Sequence, residues 1–537
     1  MNTTRRRFLT GCLGVPALAL AGCGEDSGSA EAEASASAEP VRFVFASAAE
    51  APTLDPSITA TLETSRISAQ ILEPLIRADP DTGAALPHLA ESWSVSDDGL
   101  EYVFALREGV TFHDGTDLSA DAVGRNFERW LRNTRAEQVS QTTYQTIFRS
   151  TTPEGEPRDS IYQCWEARDE RTFVLRIADR HPPLLRALTQ PAFGIGSPAA
   201  FEDEQSYLDS PVGTGPFSMD GHDGGTVSLR RFEDYWGDAP QLDELTFTSI
   251  TGSAKRYYHL LRGDVDGYDQ VGIEDFVRLA RRGVQVQQRD PYCVTLLAIN
   301  QKFGPLKDRA VRRALAHAIN RSSVARDYYP EGTNVANDFT PALFQMGGEK
   351  TGSAYRQDQS MARKLLDSSE YDGEELTFYY PTDVSLPYLQ EPAAVYAEIA
   401  ADLVEVGFAI KPVPVRWSDN YLRRIASEDS SRALALTGLM GTYRDPDDFI
   451  SPLFGQANPL LGVEDEELFT RVRKASTLPD GQERTDLYRG INERVAEEML
   501  AVPLAYPVST VALSQRVRQY PLSSTGVENF AHVEVQD

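Results

Sequence analysis

The side chains from which this chain could build a reactive site are seven histidines, four cysteines and a scatter of carboxylates. Their spacing argues against most such sites. No histidine opens an HExxH pattern that would hold zinc on one helix face, and GxSxG, the sharp turn that presents a nucleophilic serine, does not occur. His113, between Phe112 and Asp114 and followed closely by Gly115, reads as a structural turn residue rather than a base. Gly194-Ile195-Gly196-Ser197-Pro198-Ala199 has the glycine spacing of a dinucleotide turn, but Pro198 and the lack of a buried strand before it make it a loop. Gly348-Glu349-Lys350-Thr351 lacks the Gly-Lys pair of a phosphate loop. Asp264, Asp266 and Asp269, and likewise Asp445, Asp447 and Asp448, do not follow calcium-loop spacing and read as acidic turns. No catalytic residue, metal or cofactor is expected.

The elements that would position any site form a mixed pattern. Alternating apolar residues at 41–45 predict a strand, and 65–76 predicts a helix. A hairpin follows, with Asp97-Asp98-Gly99 as its turn and Gly99 at positive φ. Ser119 caps a helix running to about Asn133, with Val123, Phe127, Trp130 and Leu131 on its inner face. After a polar stretch near 135–160, strands at 172–177, 226–232, 245–250 and 294–299 alternate with helices at 253–262 and 306–320. From 374 onward, strand 376–380, helix 393–406, strand 409–415, helix 418–425 and strand 433–439 predict βαβ crossovers and a separate α/β lobe. The apolar run 499–513, broken by Pro503 and Pro507, is too short to span a bilayer and reads as a core strand.

With 537 residues the chain exceeds what one core organises, and two or three packed lobes are expected. The net charge is −28, and because residues 1–22 carry only Arg5, Arg6 and Arg7, the remainder is three charges more negative still. Nucleic-acid binding, which needs clustered Lys and Arg to displace counterions, is disfavoured. Two cysteines, Cys12 and Cys23, fall in the leader; Cys164 and Cys293 read as two buried hydrophobes, although export would permit a disulfide.

The leader begins with Thr4-Arg5-Arg6-Arg7-Phe8-Leu9 and continues into an apolar stretch of mostly small residues that ends at Leu20-Ala21-Gly22-Cys23. This is a signal peptide over 1–22 whose end resembles the lipobox of bacterial lipoproteins, so Cys23 is the expected lipidation site. The Arg5-Arg6 pair with Phe8-Leu9 resembles a twin-arginine export signal, a general secretory signal being the alternative. Residues 24–40 are almost entirely Gly, Ser, Ala and acidic, and with Cys23 they make a flexible tether to an extracytoplasmic, periplasmic or cell-surface, membrane face.

Several segments carry a family resemblance. Leu72-Glu73-Pro74-Leu75, Leu89-Ala90-Glu91-Ser92-Trp93, Ser96-Asp97-Asp98-Gly99-Leu100 and Phe112-His113-Asp114-Gly115-Thr116 stand in order, followed by Pro211-Val212-Gly213-Thr214-Gly215-Pro216-Phe217 and Tyr235-Trp236-Gly237. Val311-Arg312-Arg313-Ala314-Leu315 and Asp445-Pro446-Asp447-Asp448-Phe449 complete the set. Together they resemble the peptide, opine and nickel family of substrate-binding proteins of ABC importers, family 5 or cluster C. The resemblance implies a type II periplasmic-binding-protein-like α/β fold, two lobes joined by a hinge with an additional third domain. Domain I would comprise 41–77, 206–292 and 508–537, domain II 78–205 and domain III 293–507. It implies a monomer without enzymatic activity that captures peptides or peptide-sized solutes and delivers them to permease subunits. A ligand-sensing lipoprotein and a receptor for a metal chelate or oligosaccharide remain alternatives.

The resemblance also implies site residues. Gly213, Gly215 and Pro216 would shape a turn at a domain crossing. Dipeptide-binding relatives place an Asp where this chain has Thr442 and an Arg where it has Leu386, so both charged anchors for a zwitterion are replaced and the dipeptide expectation weakens. The remaining expected ligand-binding residues are Tyr443, Arg444, Met440, Trp417 and Glu50, with Tyr443 placed first as a stacking aromatic.

Overall fold

Alternation of apolar and polar residues at the start of the body produces the strand Arg42–Ser47, which becomes the centre of a seven-stranded sheet. In the computed structural model, which describes residues 39–536 apart from 60, 133–142, 149–159, 347–348 and 428–430, three larger sheets organise the chain. The leader, Cys23 and most of the tether lie outside the described residues. The seven-stranded sheet runs in the order Gln285–Arg289, Ser509–Leu513, Gly267–Asp269, Arg42–Ser47, Glu244–Ser249, Thr226–Arg231, Phe217–Asp223. A four-stranded antiparallel sheet of Ala90–Val95, Glu101–Leu106, Thr172–Ile177 and Tyr162–Ala167 carries helix Ala120–Arg132, whose Val123, Phe127 and Trp130 are buried.

The third sheet has six strands, ordered Asn334–Val335, Ala501–Tyr506, Cys293–Ile299, Leu434–Met440, Leu376–Thr382, Ile410–Arg416. Helix Pro392–Val406, closed by Gly407 at φ 112°, returns the chain so that Leu376–Thr382 and Ile410–Arg416 pair in parallel. The fold is therefore a mixed α/β architecture built on three larger sheets, in keeping with the fold class that the resemblance implies.

Four element boundaries depart from the sequence pattern. The first helix occupies Leu62–Ser68 rather than 65–76, because Thr61 caps it by accepting a hydrogen bond from the Thr64 N–H and Pro74 forbids a continuation that far. Residues 306–320 divide into a short 3-10 turn, Gly304–Lys307, and helix Arg309–Ala318, whose start is fixed by the Asp308 carboxylate on the Ala310 N–H at 2.7 Å. The 418–425 helix is likewise split by Asn420 at φ 57°. Most informative is 499–513: it is two strands, Ala501–Tyr506 and Ser509–Leu513, in two different sheets. Pro507, with no N–H to give a ladder, stands at the point where the chain leaves one sheet for the other. The link 290–292, from Gln285–Arg289 to Cys293–Ile299, joins the same two sheets.

The quoted motif residues turn out to be architectural. Glu73 is buried and accepts hydrogen bonds at 2.8 Å from Thr214, Tyr235 and Trp236, with His88 Nε2 at 3.2 Å. Burial alone would raise its pKa, but these donors, His88 foremost, hold its carboxyl below the usual range. Gly213 and Gly215 are required by close approach: a Cβ on either would lie 2.1 Å and 2.5 Å from the Ile71 and Gln70 carbonyl oxygens, and neither glycine is left-handed. Pro216 is buried and its carbonyl accepts from the Phe232 N–H at 2.9 Å. His113 Nε2 sits 2.9 Å from the Gly215 carbonyl while its Nδ1 faces the Gly213 N–H, a pairing that specifies the neutral Nε2–H tautomer. Burial lowers the His113 pKa, consistent with a structural imidazole.

The other suspected chemistry is also committed to structure. Asp269 pairs with Arg66 at 2.6 Å, Asp266 with Arg516 at 2.8 Å and Asp445 with Arg484 at 2.6 Å. Cys164 and Cys293 are both free thiols, in different sheets, and burial pushes the Cys293 thiol up to about 12. Among the described residues no helix is long and apolar enough to cross a membrane.

Candidate functional site

A cavity of about 370 Å³ lies where the sheets meet, a volume in the range of small-molecule sites. One wall is the entry to helix Leu62–Ser68, with Thr59, Thr61, Leu62, Glu63 and Ser65, joined by Thr525 and Val527 from the C-terminal segment. A second wall is Gln190, Pro191 and Ala192, beyond the four-stranded sheet. The third comes from the six-stranded sheet and its loops: Leu386, Pro387, Tyr388, Trp417, the strand end Thr437–Thr442, and Asn458.

Local bonding fixes each wall. Thr64, inside the first helical turn, donates its hydroxyl to the Thr53 carbonyl at 2.6 Å, which pins the turn that carries Glu63. Gly438 permits Tyr388 to pack flat on the strand, since a Cβ there would come within 2.5 Å of the Tyr388 ring. Asp448 holds the loop after the strand by accepting from the Thr442 N–H at 2.6 Å, the Thr442 hydroxyl at 2.9 Å and the Tyr443 N–H at 3.1 Å. Desolvation nonetheless pushes the Asp448 pKa up to about 7, those donors opposing the shift.

The expected ligand-binding residues divide into two groups. Thr442, Met440, Trp417 and Leu386 line the cavity. Tyr443, Arg444 and Glu50 do not. The Tyr443 ring is buried, 5% exposed, within the apolar cluster beneath the four-stranded sheet, with its hydroxyl 3.4 Å from Asp447. It is a plug from one lobe into another, not a stacking platform for a solute. Arg444 donates to the Pro80 and Asp81 carbonyls of the Ile76–Ala78/Ala85–Pro87 hairpin, and its side chain fills the space beside Gly83. Glu50 is exposed at a separate small hollow with Gly225 and Ser249. Tyr443, Arg444 and Asp445 thus form three consecutive contacts from the six-stranded side onto the four-stranded side, where Arg186 meets Asp445 at 3.1 Å.

Sequence reasoning missed Glu63, Tyr388, Gln190, Thr437 and Asn458 among the lining residues. Glu63 had a signal: Thr61 as cap with an acidic residue in the first turn marks a helix start. Tyr388 and Gln190 had none, because tertiary packing of distant segments brings them to the cavity.

Known proteins resemble this chain along most of its length. Residues 84–459 match the family described as bacterial extracellular solute-binding proteins, family 5. The chain belongs to that family. Heme-binding protein A of Haemophilus influenzae is 28% identical over 87% of each chain, and the dipeptide-binding protein of Escherichia coli is 25% identical over 87% of this chain and 90% of that one. The structure of the periplasmic binding protein DppA from Helicobacter pylori, in complex with peptide STSA, superposes with a TM-score of 0.82 at 24% identity, covering 93% of this chain and 99% of that one, a likeness of fold.

The cavity of this family 5 protein has a nearly neutral wall. Among the described lining residues there is no Lys, Arg, His or Asp, and Glu63 is the lone carboxylate. The wall is otherwise apolar side chains, hydroxyls and two amides, which orient a solute by hydrogen bonds and exclude water around it.

Proposed function

We propose that this chain is the extracytoplasmic receptor of an ABC importer, held at the membrane by lipid on Cys23, and that it closes over a small organic solute and hands it to permease subunits. It acts by binding alone, without turnover. The observation that carries the reading is the cavity whose walls come from all three sheet regions, beside a loop, 441–445, that bridges two of them. A solute touching both sides adds contacts available only in the closed arrangement and shifts the equilibrium toward it by that difference. Family membership and the binding functions named for the relatives support the same reading. The lipobox and the Arg5-Arg6 leader support membrane attachment and export before the body functions.

Native mass spectrometry of gently purified protein, followed by denaturation, tests the reading. A small molecule released only on denaturation, whose re-addition contracts the protein in small-angle X-ray scattering, is the expected result. Chemical conversion of that molecule, or its binding with unchanged dimensions, would overturn it. Labelling of Cys23 by a radioactive fatty acid, lost in Cys23→Ala, checks the anchor.

A further inference from the structure

Glu63 lies on the cavity wall, 92% removed from solvent by its 8% exposure, and no side chain among the described residues forms an ion pair with it. The guanidinium groups nearest it make their hydrogen bonds elsewhere. Arg66 binds Asp269 at 2.6 Å and Glu528 at 3.2 Å; Arg289 binds the other oxygen of Glu528; Arg256 donates to the Ile250 and Gln270 carbonyls at 2.9 and 3.3 Å. Among the described lining residues of the opposite wall the one titratable group is the Tyr388 phenol, hydrogen-bonded to Thr437.

We propose, resting on the receptor reading, that Glu63 is the ion partner of an ammonium group on an otherwise apolar solute that carries no free carboxylate. A buried carboxylate without a cation is costly, and a solute ammonium supplies the missing partner. A solute carboxylate would find no cation on the wall, which has no Lys, Arg or His. Leu386, Trp417, Leu422, Met440 and Leu453 furnish apolar surface for the remainder. In the empty site burial pushes the Glu63 carboxyl up to about 7, with Asp269 raising it further and Arg66 and Arg256 opposing. Binding an ammonium therefore draws off the Glu63 proton into solvent whenever the pH lies below that value.

Isothermal titration of the full chain with leucyl-phenylalanine amide, its N-acetyl derivative and unmodified leucyl-phenylalanine decides the matter. The amide is expected to bind at least tenfold more tightly than either of the others. Its affinity should climb up to about tenfold per pH unit from pH 5 to 7 and fall again above about pH 8, where the amine itself loses its proton, with proton release below pH 7 visible in two buffers of different ionisation enthalpy. Glu63→Gln should abolish the preference for the free amine and the pH dependence together. Equal binding of the N-acetyl compound, a flat pH profile in the unmodified protein, or no binding of the amide overturns the assignment. A neutral or anionic solute recovered by native mass spectrometry, with contraction on binding, would sink this inference and leave the receptor reading standing. Absence of any solute or contraction would sink both.

Discussion

Arg186 Nη1 lies 3.1 Å from Asp445 Oδ2 while its Nη2 lies 2.6 Å from Asp480, so one guanidinium beside the four-stranded sheet holds two carboxylates from the six-stranded side. Asp445 is fully buried but has a second partner in Arg484, whereas Arg186 is 29% exposed. Removing Arg186 therefore breaks the bridge between regions without orphaning a buried charge.

Arg186→Ala should weaken the closed arrangement by about 1 kcal/mol, the partial exposure and screening keeping the figure small. Solute affinity should fall about fivefold, because the binding-competent population falls by that factor. Titration with the co-purified solute and scattering of the solute-free protein check this. Unchanged affinity and dimensions would show that the bridge does not contribute to closure.

Gly213→Ala should unfold or severely destabilise the protein, by about 3 kcal/mol or more, since its Cβ would meet the Ile71 carbonyl oxygen at 2.1 Å and backbone must move. Gly221→Ala, with nothing within 4 Å of the added Cβ, is the matched control and should shift the melting temperature little. Comparable melts for the two variants would refute the close-packing role of Gly213.

Asp448 and pH provide a signed test. Its folded pKa, about 7, lies above the model-compound value of 3.8, so its contribution favours the folded state below about pH 4 and is lost as pH rises through 7. Asp448→Asn removes that titration. Denaturant midpoints from pH 4 to 8 should therefore fall with pH more steeply in the unmodified protein than in the variant. His113 contributes oppositely, its lowered pKa disfavouring the folded state as pH drops below the ordinary histidine value, and it cancels in the comparison. Parallel profiles would mean that Asp448 is not raised.

Local periodicity carried much of the fold. Strand Thr172–Ile177 and helix Ser253–Arg262 were legible residue for residue, the strand as a short apolar run buried on both faces and the helix because it buries one face and ends at Gly263. The division of 499–513 between two sheets was not, since nothing local distinguishes a strand that continues from one that changes partners. The site was harder. Thr442 and Leu386 were found through their motif neighbours, but Tyr443 was misplaced for a physical reason: an aromatic beside a cavity loop can face the solute or the adjoining core, and only the depth of the cluster around Leu75, Phe193 and Ile195 decides. Glu63 escaped notice because its isolation depends on Arg66, three residues on, being engaged by Asp269 and Glu528 from far along the chain.

The strand Ser509–Leu513 has a consequence for biosynthesis. It fits between Gly267–Asp269 and Gln285–Arg289 and pairs with both. A nascent chain leaving the ribosome amino end first has both neighbours in place long before the strand that joins them. Until the last few dozen residues appear, two unpaired backbone edges stand open to other chains. Completion by so late a strand of a sheet begun with Arg42–Ser47 makes truncation before residue 513 a route to aggregation.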